Sequence, residues 1–248
     1  MLQVKRESQI TFIASDALGR IPGIVHGFST RRAEHNLFTL GPISSPNPLV
    51  QINRTRFLAA IGAPGWPVMK LKQVHSGIVR DIDDTSAANE PFEGDASVTS
   101  LRGVILGVQT ADCAPILIAD SEGRAVAAIH AGWRGTAARI VEVAVARFIE
   151  KFKVAAADLV AAIGPHIGVC CYEVGPEVVE AIADPSAFQG RHLNLAAANR
   201  NQLITAGLSA DRIETSSLCT ACREDLFYSY RREGDKTGRM LSVIGIAP

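Results

Sequence analysis

Short apolar runs in the middle of the chain constrain the fold more than any other feature. Residues 103–108, 115–119 and 125–129 are continuously apolar, which is typical of strands that are buried on both faces of a sheet. Residues 121–124 have the composition of a tight turn, so the second and third runs predict an antiparallel hairpin. From Thr136 onward the apolar residues recur with a period of about 3.6, which predicts a helix of about 17 residues with Thr136 as its N-cap.

The order of the remaining elements favours a layered α+β fold. These elements are two strands and two helices, predicted at 159–163, 240–246, 176–183 and 195–206. Because the hairpins are antiparallel, a layered α+β fold is favoured over a doubly wound parallel sheet. The chain has no internal repeat, and its proline-rich loop at 41–48 is too short to separate domains. We therefore expect one domain that spans residues 1–248.

The charge balance excludes several classes of partner. The chain carries 25 Lys and Arg against 25 Asp and Glu, so it lacks the basic surplus with which nucleic-acid-binding and membrane-surface proteins bind phosphates. A hydrophobic content of 47% excludes a disordered chain. The charged N-terminal segment does not resemble a signal peptide, and no apolar stretch reaches the roughly 20 residues of a membrane span. We expect a soluble, cytoplasmic protein whose five cysteines are free thiols, metal ligands or nucleophiles.

Three potential metal ligands or catalytic groups lie where predicted strands end. Cys113 and His130 are 17 residues apart and bracket the predicted hairpin, so their side chains are expected to meet at one edge of the sheet. His75, in the sequence Lys-Gln-Val-His-Ser, is the third. A thiolate and two imidazoles would make a three-ligand zinc site with an open fourth position. The same residues would also serve as a nucleophilic cysteine with a histidine base, and their spacing does not separate the two possibilities.

Polar and glycine-rich segments beside these residues support the presence of a site. Residues 109–113 form a polar insert between two apolar strands, and placing Asp112 there costs stability unless the site uses it. The turn at 130–135 precedes the predicted helix and contains two glycines, and helix N-termini attract anions. Within that turn, Arg134 adds positive charge and Trp133 offers a ring that could stack on a base or sugar.

The other cysteines have the spacing of a second metal site but a less favourable local pattern. Cys219 and Cys222 form a Cys-x-x-Cys pair, and a four-cysteine site would need Cys170 and Cys171 as partners. Adjacent residues on a strand point to opposite faces, so we expect these cysteines to be buried by packing instead. The run at 228–232 is expected to be a partly buried aromatic segment with solvated arginines rather than a substrate-binding rim.

A series of motifs, in order along the chain, resembles the laccase-domain family, which is also called the YfiH or polyphenol-oxidase-like family. The resemblance runs from about His26 to the C-terminus. The motifs that carry it are His26-Gly-Phe-Ser-Thr-Arg31, Lys72-Gln-Val-His75, Gly94-Asp-Ala-Ser-Val-Thr99, Thr110-Ala-Asp-Cys-Ala-Pro115, His130-Ala-Gly-Trp-Arg-Gly135, the segment at 163–175, Leu218-Cys-Thr220, Phe227-Tyr-Ser-Tyr-Arg-Arg232 and Thr237-Gly-Arg239.

The resemblance implies both a fold and a set of activities. The implied fold is a single-domain four-layer α/β/β/α sandwich with mixed sheets and a surface metal pocket. The implied metal ligands are His75, Cys113 and His130, usually with zinc. Family members are described as purine nucleoside phosphorylases with adenosine deaminase and methylthioadenosine phosphorylase activity, as multicopper polyphenol oxidases, or as peptidoglycan-editing amidases. The segment at 32–41 is several residues shorter than the family pattern, so a role of that loop in substrate binding does not transfer to this chain.

The residues favour the phosphorylase among these activities. A multicopper oxidase needs many histidines, mostly in His-x-His pairs, and this chain has six histidines and no such pair. Copper is therefore a weaker expectation than zinc. The candidates for phosphate binding are Arg31, Lys72 and Arg134, because fixed cations suit phosphate oxygens. The expected substrate-binding set is completed by Gln73 and Trp133.

We therefore expect a zinc-dependent phosphorylase of purine nucleosides (adenosine, inosine and methylthioadenosine) with adenosine deaminase activity, acting as a monomer or weak homodimer. The expected catalytic residues are His75, Cys113, His130 and Asp112, and the candidates for an acid–base carboxylate are Asp95 and Asp112. The alternative is an amidase that edits a peptidoglycan precursor, with Cys113 as nucleophile and a histidine as base. A non-catalytic zinc-binding module is a third possibility.

Overall fold

A computed structural model describes residues 1–33, 36–41, 47–69 and 71–248. The strands of this part of the chain are β1 (Leu2–Glu7), β2 (Ile10–Ser15), β3 (Ile24–Ala33), β4 (Asn36–Leu37), β5 (Val68–Met69), β6 (Leu71–Lys72), β7 (Val79–Asp81), β8 (Phe92–Glu93), β9 (Ala96–Thr99), β10 (Ile105–Thr110), β11 (Ala114–Asp120), β12 (Val126–Ala131), β13 (Leu159–Ile163), β14 (Phe188–Gln189), β15 (His192–Leu193), β16 (Ile213–Thr215) and β17 (Met240–Ile246). The α-helices are α1 (Asp16–Gly19), α2 (Pro48–Ala60), α3 (Trp133–Ala137), α4 (Ile140–Phe152), α5 (Pro176–Ile182), α6 (Leu195–Thr205) and α7 (Tyr230–Glu233). The shortened segment at 32–41 and the proline-rich loop at 41–48 both fall partly outside the described residues.

Two mixed sheets form the centre of the fold. The first has seven strands in the order β1-β2-β3-β17-β10-β5, with β4 paired to β3. The second has six strands in the order β16-β13-β11-β12-β9-β7. Each sheet is antiparallel at its centre, and parallel pairs occur where β5 joins β10, β16 joins β13 and β7 joins β9.

The two sheets pack face to face and are covered by helices on their outer faces. Leu106 and Ile244 from the first sheet meet Leu117 and Ala128 from the second in one apolar layer. The other face of the first sheet packs against α2, and the other face of the second packs against the segment that contains α3 to α6. The expected four-layer α/β/β/α fold is therefore confirmed. None of the helices described is long and apolar enough to cross a bilayer.

The predicted hairpin forms and carries two of the candidate site residues. Strands β11 and β12 pair antiparallel, with Ala114 opposite Ala131 and Pro115 opposite His130. The preceding strand, β10, belongs to the other sheet, so residues 111–113 cross from one sheet to the other. This crossing explains the polar insert, because a connection that leaves both sheets must satisfy its backbone groups without ladder hydrogen bonds.

The single long helix predicted from Thr136 is wrong. The structure has a short helix, α3, that begins after Gly132, and a separate helix, α4, that begins after Arg139. Arg139 has a left-handed backbone, with φ of 56°, and this conformation interrupts the helix. Thr136 lies inside α3 rather than at a cap, and its hydroxyl accepts a hydrogen bond from Asn199 Nδ2 at 3.0 Å. The predicted strands at 159–163 and 240–246 and both shorter helices are found within about one residue of their expected bounds.

Strand β17 lies in the middle of the first sheet although it follows every other strand in the described chain. It pairs antiparallel with β3 on one side and with β10 on the other. The backbone N–H of Leu241 donates to Ser29 Oγ at 2.9 Å. The sheet is therefore completed by contacts between residues that are about 200 positions apart in sequence.

Two buried contacts of the first sheet each require one particular residue, His26 in the first case and Gly164 in the second. His26 Nε2 on β3 accepts a hydrogen bond from the backbone N–H of Ser15 at 2.9 Å. Burial, aided by the charge of Lys5, lowers the pKa of His26 to about 4. At Gly164, a Cβ atom would lie 2.2 Å from Cδ1 of the buried Phe28 ring, so only glycine fits beside this ring.

Candidate metal and substrate site

The structure brings His75, Cys113 and His130 together. One ligand atom from each residue lies within 4.8 Å of those of the other two. The imidazole centroids of His75 and His130 are 4.9 Å apart, with an interplanar angle of 74°. His75 lies in the loop after β6, Cys113 in the crossing between the sheets, and His130 on β12. Three separate elements therefore converge on one point.

Asp95 holds two of these residues in place. Its carboxylate is fully buried and accepts hydrogen bonds from the backbone N–H groups of Val74, His75 and Ser76 and from the Ser76 hydroxyl. Its Oδ1 also lies 2.8 Å from His130 Nδ1. Burial opposes ionisation, but the hydrogen bonds from His130 and Ser76 outweigh it and lower the pKa of Asp95. With Nδ1 bonded to Asp95, the Nε2 atom of His130 is the nitrogen available to the cluster.

The histidines favour the thiolate form of Cys113. Burial alone would raise the pKa of the Cys113 thiol, but the charge and hydrogen bonds of His130 and His75 outweigh burial and lower it to about 6. Burial would likewise lower the pKa of His130, but the thiolate and Asp95 raise it. A thiolate is the form of cysteine that binds metals and attacks electrophiles.

The backbone around the cluster is strained and closely packed. His75 has φ of 58° and Asp112 has φ of 92°, a left-handed region that non-glycine residues seldom adopt. A Cβ atom at Gly132 would lie 2.8 Å from Cys113 Sγ and 3.3 Å from His75 Cδ2. Backbone strain like that at His75 and Asp112 is concentrated at functional sites. Close packing has a separate consequence, which is that only glycine at position 132 leaves room for the Cys113 sulfur.

The cluster opens into a cavity of about 1070 Å³. The cavity is lined by the three cluster residues and by Leu71, Lys72, Gln73, Pro91, Gln109, Ala111, Asp112, Trp133, Arg134, Ile167, Tyr172, Leu195, Tyr230, Arg231 and Arg239. This volume is sufficient for a drug-sized ligand. Four of the five residues expected to bind substrate or phosphate thus line one cavity with the cluster.

Arg31 is the exception, because it does not line this cavity. Its Nη1 forms an ion pair with Glu233 Oε1 at 2.7 Å, and its guanidinium lies 4.5 Å from the centroid of the Tyr228 ring. The same nitrogen lies within 3.5 Å of the carbonyl oxygens of Glu224 and Phe227. The structure gives Arg31 contacts that stabilise the C-terminal segment instead of a place beside the cluster.

Lys72 and Gln73 reach the cavity from the strand that precedes His75. Lys72 is exposed, and its Nζ lies 2.8 Å from Glu93 Oε1. The Gln73 side-chain amide forms two hydrogen bonds with the backbone of Gln109, as a neighbouring strand would. Its Nε2 donates to Gln109 O and its Oε1 accepts from Gln109 N–H, both at 2.8 Å. Gln73 therefore attaches this loop to the end of β10.

Asp112 has both carboxylate oxygens occupied. Oδ1 accepts from the Thr220 hydroxyl at 2.6 Å, and Oδ2 accepts from the Ser229 hydroxyl at 3.0 Å and the Arg231 N–H at 2.7 Å. These contacts tie the crossing between the sheets to two distant segments. Asp112 therefore has the surroundings of a positioning residue.

Arg134 remains free to bind an anion. It is exposed on α3, and its guanidinium stacks 4.3 Å from the centroid of the Trp133 ring. Within the ranges that the structure describes, no carboxylate forms an ion pair with it. The pair thus offers a cation and an aromatic face on the same side of the cavity.

Sequence analysis missed part of the cavity wall. Tyr172, Tyr230 and Arg231 line it, and the guanidinium of Arg231 lies 5.4 Å from the Tyr172 ring. The expectation that the run at 228–232 takes no part in a rim is therefore incorrect for Tyr230 and Arg231. These residues belong to the family motifs, which was one indication that they take part in the site. No local sequence pattern indicated that hydrogen bonds to Asp112 would hold the segment with Tyr230 and Arg231 beside the crossing.

Comparison with known proteins shows the family to which the chain is similar. The family described as multi-copper polyphenol oxidoreductase laccase matches residues 28–247. A purine nucleoside phosphorylase of Deinococcus radiodurans is 36% identical over 239 residues, which cover 90% of this chain and 89% of that protein. Adenosine deaminase RL5, from an unknown prokaryotic organism, is 41% identical over 177 residues, and the match spans 66% of each chain, slightly less than two thirds.

A solved structure extends the likeness to the whole fold. The crystal structure of YlmD from Geobacillus stearothermophilus has a TM-score of 0.89 and 29% identity, and the match covers 99% of both chains. The family match covers most of the sequence, and the fold agrees throughout. The chain accordingly belongs to the laccase-domain family, whose members include proteins named as purine nucleoside phosphorylases.

Proposed function

We propose that this protein is a zinc-dependent purine nucleoside phosphorylase that acts on adenosine, inosine and methylthioadenosine and also deaminates adenosine. The observation that carries the proposal is the cluster of His75, Cys113 and His130 beside the stacked pair of Trp133 and Arg134 in one cavity. The names of the relatives support this class of reaction. The substrates would be a nucleoside and phosphate.

The donor set fits a zinc ion. A thiolate and two imidazole nitrogens within 4.8 Å of one another match the ligands of catalytic zinc sites, and Asp95 supplies the outer hydrogen bond that such a histidine needs. When bound by His75, Cys113 and His130, zinc would polarise a phosphate oxygen or lower the pKa of a water molecule. A copper oxidase is not supported, because the described residues hold only two histidines in any potential metal cluster.

The remaining cavity residues would bind and orient the substrates. Arg134 would bind phosphate because its guanidinium is exposed and already fixed against Trp133. Lys72, which also lines the cavity, would add a second positive charge, at the cost of weakening its exposed ion pair with Glu93. The aromatic rings of Trp133 and Tyr172 would stack on the purine.

The reaction needs these groups to be held in one geometry. A phosphate oxygen forms a bond to C1′ of the sugar as the bond from C1′ to the purine nitrogen breaks, and the leaving purine takes up the proton that hydrogen phosphate loses. Asp112 would contribute by fixing Arg231 and the crossing that carries Cys113, rather than by transferring a proton. Correct placement of the reacting groups supplies much of the rate in reactions of this kind.

The test is phosphate-dependent release of hypoxanthine from inosine and of adenine from adenosine, with zinc-loaded enzyme. Wild type should release base only when phosphate is present, and Arg134→Ala should raise the KM for phosphate. The matched control is Arg139→Ala, another exposed arginine five residues further along the chain that does not line the cavity. Absence of base release at every zinc concentration would refute the phosphorylase. Ammonia released from adenosine without phosphate would report the deaminase separately.

One observation favours a second candidate, a cysteine-dependent amidase. Cys113, His130 and Asp95 are arranged as a nucleophile, a base and an orienting carboxylate, and the pKa of Cys113 is lowered to about 6. Such an enzyme would need no metal, and alkylation of Cys113 would abolish it. Amide cleavage by chelator-treated protein, with no phosphorolysis by the zinc-loaded form, would establish the amidase in place of the phosphorylase.

A further inference from the structure

The structure brings a second group of potential metal ligands together, apart from the cavity cluster. The sulfurs of Cys170, Cys171, Cys219 and Cys222 all lie within 4.8 Å of one another. Cys222 Sγ is 3.5 Å from Cys170 Sγ and 3.3 Å from Cys171 Sγ. The expectation that these cysteines are simply packed in the interior is wrong for three of them, because Cys170 and Cys222 are exposed and Cys171 is half-buried, whereas Cys219 is buried.

Turns, rather than strands, place the adjacent cysteines side by side. The N–H groups of Cys171 and Tyr172 both donate to Gly168 O, at 3.0 and 3.1 Å, so the chain turns at this point. In a turn, neighbouring side chains need not alternate between opposite faces, as they do on a strand. The Cys219–Cys222 pair is likewise in a turn, where Arg223 N–H donates to Cys219 O at 3.0 Å. Two turns therefore present two sulfurs each to the same point.

We propose that these four cysteines bind one structural zinc ion. Four sulfurs at about 2.3 Å from one ion would lie about 3.8 Å apart. The distances from Cys222 Sγ, 3.5 and 3.3 Å, lie slightly below this value, and every other pair lies within 4.8 Å. Sulfurs this close together suit a single ion, and the cluster is too compact for a multi-iron centre, whose cysteines bind separate iron atoms. A disulfide would use only two of the four sulfurs and would not explain why the others converge.

The surrounding backbone is shaped for thiolate ligands. The N–H of Gly168 donates to Cys219 Sγ at 3.2 Å, a hydrogen bond that favours a negatively charged sulfur. A Cβ atom at Gly168 would lie 3.1 Å from Cys219 Cβ and 3.3 Å from Cys170 Sγ. The glycine thus lets the backbone approach the sulfurs closely. Binding of zinc would release the thiol protons to solvent.

The proposed ion would fix one wall of the cavity. A β-bridge between His166 and Cys219, with Thr220 N–H donating to His166 O at 2.9 Å, joins the two cysteine-bearing segments. Tyr172 follows Cys171 directly and lines the cavity. Thr220 follows Cys219 directly and donates to Asp112, which in turn binds Arg231. Zinc at the four cysteines would therefore hold the tyrosine and arginine side of the cavity in place.

The test counts zinc in the full-length protein purified under reducing conditions. Wild type should contain two zinc ions per chain, and Cys113→Ser and the double variant Cys219→Ser/Cys222→Ser should each contain one. Cys113→Ser is the matched control, since it removes a ligand of the other cluster only. Because the count does not depend on turnover, it stands whether or not the enzyme is a phosphorylase.

A second measurement covers the case in which the double variant does not fold. Cobalt loaded into Cys113→Ser should give the absorption spectrum of a tetrathiolate site, and Gly168→Ala in the same background should bind cobalt more weakly. The proposal is overturned if Cys113→Ser binds neither zinc nor cobalt. It is also overturned if this variant contains iron, or if its intact mass shows the loss of two hydrogens that marks a disulfide.

Discussion

Replacing Gly132 with alanine would place a methyl group among the proposed ligands of the cavity metal. The backbone at this position, with φ of −79° and ψ of 174°, is allowed for alanine, so the substitution introduces no conformational strain. Its effect would come from contact alone, because the new Cβ would lie 2.8 Å from Cys113 Sγ and 3.3 Å from His75 Cδ2. The perturbation therefore tests the packing of the cluster without removing a ligand.

The size of the effect follows from these distances. Non-bonded heavy atoms settle at about 3.5–4.0 Å, so the Cys113 sulfur must move by about 0.7 Å or more, whereas metal–ligand distances tolerate only about 0.2 Å. We expect zinc to bind about 10–100-fold more weakly, as when an outer hydrogen bond to a ligand is lost. A displacement of this order also costs about 100-fold in turnover.

Zinc affinity would be measured by competition with a chromophoric chelator, and base release would be followed with saturating zinc. The matched control is Gly19→Ala, on exposed backbone where the nearest atom to the new Cβ is 3.7 Å away, and this variant should behave as wild type. If Gly132→Ala folds and both binds zinc and releases base within twofold of wild type, then Cys113 and His75 are not packed against residue 132 as described.

Three further substitutions test the buried network. From pH 6.5 to pH 4 the contribution of His26 to the unfolding free energy should fall by about 2.5 kcal/mol, because His26 is protonated in the unfolded chain over this range, whereas its pKa of about 4 keeps it largely neutral in the fold until the end of the range. His26→Gln keeps an acceptor for the Ser15 N–H, and urea titrations that show the same pH dependence of stability for this variant and for wild type would contradict this origin. Asp95→Asn should weaken zinc binding about 10–100-fold, and equal affinity in the chelator assay would rule out an orienting role. Gly164→Ala should lower the free energy of unfolding, measured in urea, by about 1–3 kcal/mol, because the alanine Cβ would collide with the Phe28 ring. Replacing Phe28 with a smaller residue in the same chain should relieve this collision, and a loss that stays the same would contradict it.

Most of the layered fold could be predicted because the apolar patterns are local. The runs at 115–119 and 125–129 are long enough to pair in one register, and this pairing sets Pro115 opposite His130 and brings Cys113 near that histidine. His75 was grouped with Cys113 and His130 because it also lies where a predicted strand ends, but no sequence pattern predicted that it would meet them. The actual cause of this convergence is Asp95, which binds the His75 loop and His130 at once and has no local sequence signature.

The differences between the sequence-based expectations and the structure have physical causes. Arginine at 139 does not signal a left-handed backbone, so the periodic pattern that runs through α3 and α4 was continuous in sequence but not in structure. Arg31 was a candidate for phosphate binding because fixed cations suit phosphate oxygens, but the structure pairs it with Glu233, a contact between distant segments that no sequence periodicity indicates. The four cysteines were misjudged because the alternation rule applies to strands, whereas Cys170 and Cys171 lie in a turn.

The central position of β17 has a consequence for synthesis on the ribosome. Until residues 240–246 emerge, β3 and β10 lack the strand that separates them, and each presents an unpaired edge to other chains. Strands β11, β12 and β13 of the second sheet need no residue beyond 163 to pair, so this part of the second sheet can form first. The nascent chain can thus pass through a stage in which a formed sheet packs against an incomplete one, and the unpaired edges make this the stage most exposed to aggregation.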